Sequence, residues 1–333
     1  MNILWRMLVC IGVVVGLCFD VSAQTRIGVI GKSTGEFYAQ AYDGCKEFAA
    51  TKADLTCLFD GPTDFQDPRQ QVRSVQKMLD QKVDGLLIAA VDSKHLVDKV
   101  LKLAKLLDIP VMTFDSDLLP EHRDYRLAYV GTKNFDFGMA LGNYAKRYKK
   151  DGLNEICIQS GSETTPNLNE RVRGVRHALS GGGGYSRING KNGWVELERC
   201  PFYAPGQNSR ALMQLKYVLS ETNAIFLAVA GFAQYSEDYI SEMMPFQKDI
   251  RSGEKVVISA DAGTIQLKAL KQGLSTVNIG QQPFEMGRYS AQLLYQYIKM
   301  GKRPEREMNY LGYYYCKTGQ RPLCTEAKTE NHE

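Results

Sequence analysis

The chain is poor in the residues that most enzymatic chemistry requires. Of its 333 residues only 4 are histidine, and His95, His122, His177 and His332 stand far apart. No CxxC pair accompanies them, which removes the usual spacing of a zinc site. No convincing Ser-His-Asp order appears, so the reading is of a non-enzyme without metal or cofactor. The first glycine-containing loop, Gly31 to Tyr38, has neither the G-x-G-x-x-G nor the G-x-x-x-x-G-K-[ST] form, so a phosphate cradle is unsupported. The two signs of charge nearly balance: the formal net charge is +4, too small at this length to invoke nucleic acid or an acidic membrane surface. The N-terminus holds no helix-turn-helix pattern. What the chain does have is 44% hydrophobic residues, enough for a substantial core, and a length that suits two domains.

Residues 1–23 differ from the rest. Arg6 precedes 13 uncharged residues, Met7 to Phe19, and Val21-Ser22-Ala23 follows. Thirteen are too few to span a bilayer, which needs about 20. The segment reads as an export signal cleaved after Ala23, and Leu17 before Cys18 disfavours a lipoprotein. Export implies an oxidising compartment, where the six remaining cysteines, Cys45, Cys57, Cys157, Cys200, Cys316 and Cys324, become disulfide candidates. Six cysteines allow 15 pairings. Local geometry favours Cys45–Cys57 and Cys316–Cys324, and Cys157 and Cys200, on two successive strands, would then pair, with buried free thiols the equal alternative.

Past the signal, short apolar runs alternate with amphipathic stretches. Strands are predicted at 26–31, 55–59, 85–89, 110–114, 128–130, 155–159, 194–199, 224–229, 256–260 and 277–280, with an extended tail at 310–315. Helices are predicted at 37–50, 68–81, 93–107, 135–148, 169–179, 209–220, 235–244, 264–272 and 283–299. Continuous apolar strands separated by helices indicate parallel sheets covered on both faces. There are too many for one sheet, so the expected fold class is α/β with two doubly wound parallel-sheet domains.

In such sheets ligands sit at the carboxyl ends of the strands. Polar residues gather there: Asp92-Ser93, Asp115-Ser116-Asp117, Asp261, and Gln281-Gln282, with Arg171 and Arg173 early in the helix after 155–159. Carboxylates accept hydrogen bonds from hydroxyls, and Arg and Gln donate them. Phe37 and Tyr38 offer flat faces for the C–H side of a sugar ring. Each aspartate could equally cap the following helix; it is the set, one polar group per strand end, that points to binding a small polyhydroxylated ligand.

Three segments carry a family resemblance: TFDSDLLPEHRDYRLAYVG at 113–131 with Thr132-Lys133-Asn134 after it, NLNERVRG at 167–174, and NIGQQPFEMG at 278–287. Together, and in this order, they resemble the periplasmic sugar-binding proteins of the ribose-binding type, whose fold is shared with the ligand-binding halves of LacI-type repressors. The likeness spans about 25–315. It implies two domains joined by a hinge of three crossings, near Thr132, Gln281 and Gly312, with an N-terminal subdomain of 24–132 plus 282–312 and a C-terminal subdomain of 133–281 plus 313–333. It implies Asp115 and Asp261 as acceptors, Arg171 as donor, Gln281 at the hinge strand, and Phe37 and Tyr38 as an aromatic wall. It implies a monomer in the periplasm that passes ligand to an ABC-type membrane permease. The alternative partner is a membrane sensor such as a chemoreceptor or histidine kinase. The chain departs from the pattern at Ser116, where the family carries Arg, and at Val229-Ala230, where it carries Asn-Asp. It departs again at Gly35-Glu36, where it carries Asn. The aromatic after the 194–199 strand is displaced, with Phe202 or Tyr203 as candidates. Lost donors and acceptors of this kind change ligand choice, because a buried polar group without a partner costs about 1–3 kcal/mol.

Overall fold

A computed structural model describes residues 24–63 and 66–327. The expected export signal lies outside the described residues.

The first lobe opens with β1 (Thr25–Ile30), α1 (Glu36–Ala49), β2 (Leu55–Asp60), α2 (Pro68–Asp80) and β3 (Gly85–Ile88). α2 starts where the sequence carries a start signal: the Asp67 carboxylate accepts the Arg69 and Gln70 amides, and Pro68 needs no donor there. α3 (Ser93–Leu96) continues through a π turn at Val97–Leu101 into α4 (Lys102–Leu106), followed by β4 (Val111–Phe114) and β5 (Tyr129–Thr132). The chain then enters the second lobe with α5 (Asn134–Ala145), β6 (Asn154–Ser160), α6 (Pro166–Leu179), β7 (Trp194–Glu196), β8 (Phe202–Tyr203), α7 (Asn208–Glu221) and β9 (Ile225–Ala228). It continues with α8 (Tyr239–Met243), α9 (Gln247–Ser252), β10 (Val257–Ala260), α10 (Thr264–Lys271) and β11 (Val277–Gly280). α11 (Pro283–Met300) and β12 (Met308–Leu311) return to the first lobe, and β13 (Tyr314–Cys316) and β14 (Cys324–Glu326) end in the second.

The strand order is β12-β5-β4-β3-β1-β2 in the first sheet and β14-β13-β11-β10-β9-β6-β7 in the second, with β8 also pairing β6. The pairings are parallel except those of β13 with β11 and β14. The chain therefore passes between the lobes after β5, after β11 and after β12. In both lobes the central strands are buried on both faces, as in Gly85–Ile88 and Val257–Ala260. The lobes also repeat a helix pair. α11 crosses α1 so closely that a side chain on Gly287 would overlap the Ala41 carbonyl, and α6 crosses α5 so closely that one on Gly174 would overlap the Phe135 carbonyl. The second pair matters for function, because it seats Arg171 over the β-strand ends.

All three disulfides form: Cys45–Cys57, Cys157–Cys200 and Cys316–Cys324. Several elements differ from the sequence reading. The strand expected at 194–199 stops at Glu196 as β7, and a second short strand, β8, follows at Phe202–Tyr203 after the five residues 197–201, whose Pro201 has no amide to donate to a ladder. The helix at 235–244 breaks into pieces, because Ser236 is extended and Pro245 interrupts the continuation. The tail divides at Gly312 into strands of different sheets, and its second part turns back as the β13–β14 hairpin tied by Cys316–Cys324.

Candidate functional site

The carboxyl ends of both sheets face one cavity of about 430 Å³ between the lobes. Phe37, Tyr38, Asp115, Arg171, Asp261 and Gln281 all line it.

The two aspartates hold equivalent places. Asp115 follows β4 and Asp261 follows β10, each with positive φ, +56° and +70°. Each amide donates to the next parallel strand, Asp115 to the Val130 carbonyl at 3.1 Å and Asp261 to the Ile279 carbonyl at 2.7 Å. This left-handed backbone is uncommon outside glycine and costs about 1–3 kcal/mol, so it persists only where the surroundings enforce it. At Asp115 the enforcement is visible: the Tyr129 hydroxyl donates to the Asp115 carbonyl at 3.0 Å. The turn aims both carboxylates into the cleft.

A chain of polar contacts joins them. The Asp115 carboxylate accepts from the Tyr38 hydroxyl at 2.9 Å and from Asn167 at 3.3 Å, and it pairs with Lys32 at 3.0 Å. Lys32 also donates to the Asn167 amide oxygen at 3.2 Å. The Arg171 guanidinium lies 3.9 Å from Asp115 and spends its donors on Asn134 (2.8 Å), the Val229 carbonyl (3.0 Å) and the Gln281 amide oxygen (2.7 Å). Its plane sits 4.6 Å from the Phe137 ring centre. Gln281 receives a second bond from Thr132 and donates to Asp261 at 2.8 Å, whose other oxygen accepts the Gly231 amide. Lys32, Asp115, Arg171 and Asp261 are all buried, so two cations face two anions at the inner wall of the cavity.

Burial shapes the ionisation. It lowers the Lys32 pKa, an effect that the neighbouring Asp115 opposes. It also raises the Asp261 pKa from its ordinary value, opposed by Arg171 and the Gln281 bond. Tyr38 and Tyr235 are pushed well above the ordinary phenol value by burial and then by the nearby carboxylates, so both stay neutral.

The sequence profile described as "Periplasmic binding protein domain" matches residues 27–303. The chain belongs to this family of periplasmic binding proteins. It is 32% identical over 247 residues to the "D-ribose/D-allose-binding protein" of Pseudomonas aeruginosa, covering 68% of this chain and 75% of that one. Among solved structures it resembles an ABC transporter solute-binding protein from Burkholderia graminis in complex with D-arabinose (TM-score 0.73, 22% identity, 89% of this chain and 96% of that one). It also resembles one from Actinobacillus succinogenes with bound D-allose (TM-score 0.70, 18% identity, 88% and 98%). The two parallel-sheet lobes are thus those of the type I binding-protein fold.

Within this binding protein the residues divide differently from the sequence reading. Tyr38 is not a simple flat wall: its hydroxyl is tied to Asp115, and it contributes an oriented donor as well as a face. Asp92 caps α3 through the His95 amide, and Asp117 turns away to pair with Arg126 at 2.7 Å. Both are structural. Phe202 and Tyr203 do not line the cleft; Phe202 packs on Tyr217 instead, and Phe232 and Tyr235 supply the aromatic surface on that side. Where the family carries Asn-Asp, backbone atoms serve: the Val229 carbonyl binds Arg171 and the Gly231 amide binds Asp261. Lys32 and Asn167 were missed. The signal for Lys32 was its place directly after β1, a strand end like those of Asp115 and Asp261. Asn167 opens the very segment that carried the family likeness. The turn Gly31-Lys32-Ser33-Thr34-Gly35 also has the spacing of a nucleophile elbow, which the sequence reading passed over. Here the Ser33 hydroxyl accepts the Gly35 amide, and no histidine lines the cleft among the described residues.

Proposed function

We propose that this protein captures a monosaccharide or related polyol in the interlobe cleft, in the periplasm, for delivery to an ABC-type importer, and that it performs no catalysis. The observation that carries this reading is the joined array from Lys32 through Asp115, Arg171 and Gln281 to Asp261, with Phe37, Phe232 and Tyr235 beside it. Alternating fixed acceptors and donors match the two-way hydrogen bonding of successive ring hydroxyls, and the aromatic faces match the C–H side of a sugar. A cavity of about 430 Å³ suits one such molecule. The array spans both lobes, so a ligand held by Asp115 on one side and Arg171 and Asp261 on the other draws them together. The relatives' sugars set the first panel: D-ribose, D-allose, D-arabinose, D-fucose and myo-inositol. Thermal-shift screening should give at least one stabilising hit that Asp261→Ala removes. A panel with no hit, or a hit that the variant retains, refutes the proposal.

A further inference from the structure

Among the described residues, two contacts cross from the first lobe to the second away from both the array above and the hinge at Asn134, and both have the same construction. Glu36, in the first turn of α1, reaches the start of α10, where its carboxylate accepts the Thr264 amide (3.0 and 3.2 Å) and the Thr264 hydroxyl (2.7 Å). α10 has Gly263 at its N-cap, a residue with no side chain to cap with, so the cap comes from the opposite lobe. Gln66 reaches the turn before α6. Its amide oxygen accepts the Ser162 amide at 3.0 Å, and its nitrogen donates to the Thr165 hydroxyl at 3.3 Å. In both cases a glycine of the second lobe makes the room. A side chain on Gly263 would come within 2.9 Å of the Glu36 carboxylate, and one on Gly161 within 2.2 Å of the Gln66 amide oxygen. The two receiving turns follow β10 and β6, which flank β9, so the contacts bracket the second lobe's central strand end.

We propose that Glu36 and Gln66 are positioning residues that stabilise the closed arrangement of the lobes and so set affinity for every ligand alike. Opening the cleft strips both receiving turns of these bonds and leaves the Thr264 amide at the start of α10 without its acceptor, with only the Gln266 side chain still holding the Gly263 amide. A ligand that needs the closed form gains apparent affinity in proportion to the closed fraction. The inference rests on the cleft being the binding site, but its first test needs no ligand. Small-angle X-ray scattering of the ligand-free protein should show a larger radius of gyration for the Glu36→Ala/Gln66→Ala double variant than for the parent. Gly263→Ala, whose φ of −69° suits alanine, should shift it the same way by displacing only the Glu36 carboxylate. The closing constant should fall about tenfold in the double variant, from the loss of bonds of ordinary strength. Calorimetry with D-ribose and D-allose should then show affinity reduced by one common factor for each sugar that binds. Radii identical in parent and both variants overturn the proposal. So does an affinity loss that differs several-fold between sugars, which would make Glu36 or Gln66 a ligand contact instead. Absence of binding by both sugars would count against the sugar-binding reading alone, with scattering still deciding the latch.

Discussion

Replacing Arg171 with alanine removes the donor that ties the hinge to both lobes. Its side chain is 1% exposed, and three acceptors depend on it: Asn134 Oδ1, the Val229 carbonyl and Gln281 Oε1. Gln281 keeps its bond from Thr132, but the fully buried Val229 carbonyl has no other donor in reach among those described. One such orphan costs about 1–3 kcal/mol. The charge balance also fails: Asp115 and Asp261 then face Lys32 alone, and removing one member of a buried charged set typically costs about 3–5 kcal/mol. These effects overlap, so the expected loss in unfolding free energy is about 4 kcal/mol, a large share of the 5–15 kcal/mol typical of a folded protein. Arg171→Lys keeps the charge but loses the planar fork, and should lose about 2 kcal/mol. Urea unfolding of the ligand-free protein, with the slope held equal, measures both. An alanine variant within about 1 kcal/mol of the parent would show that the guanidinium is not anchored as described.

Three further outcomes follow from the same contacts. Tyr38→Phe deletes one hydroxyl bond to Asp115 while Lys32 and Asn167 remain, so it should cost about 1 kcal/mol in urea unfolding. Asp261 has its folded pKa raised above the reference of 3.8, so the native state holds the extra proton in the window above 3.8. Its contribution to stability is full at low pH and disappears as pH rises through the raised value. The melting temperature of the parent should therefore fall relative to Asp261→Asn over that interval, and parallel curves would refute the shift. Replacing Cys157 and Cys200 together by serine opens a loop with a sequence separation of 43 and should cost about 4 kcal/mol on the loop-entropy account. Differential scanning calorimetry under matched conditions reads this directly.

Much of the architecture was legible because two signals agreed. Apolar runs such as GLLI at Gly85–Ile88 form double-covered strands, and start signals such as Asp67-Pro68 form real caps. The elements that went unread are those decided by tertiary contacts. β7 and β8 are too short to show a period, and β14 is defined by its antiparallel pairing with β13 across the Cys316–Cys324 hairpin. At the site, charge and position exposed Asp115, Arg171 and Asp261. Local sequence carries no sign that the Val229 carbonyl and Gly231 amide replace side chains, since backbone groups look alike in every residue. Lys32 was hidden for a different reason. A lysine after a strand is usually solvated, and only its pairing with Asp115 and Asn167 explains its burial.

The most direct measurement is an isothermal titration of the parent and of Asp115→Ala with the sugar that stabilises the parent most. The account predicts one sugar bound per chain in the parent and no measurable heat of binding in the variant. Equal binding by both proteins would contradict a ligand held at the meeting of the two sheets.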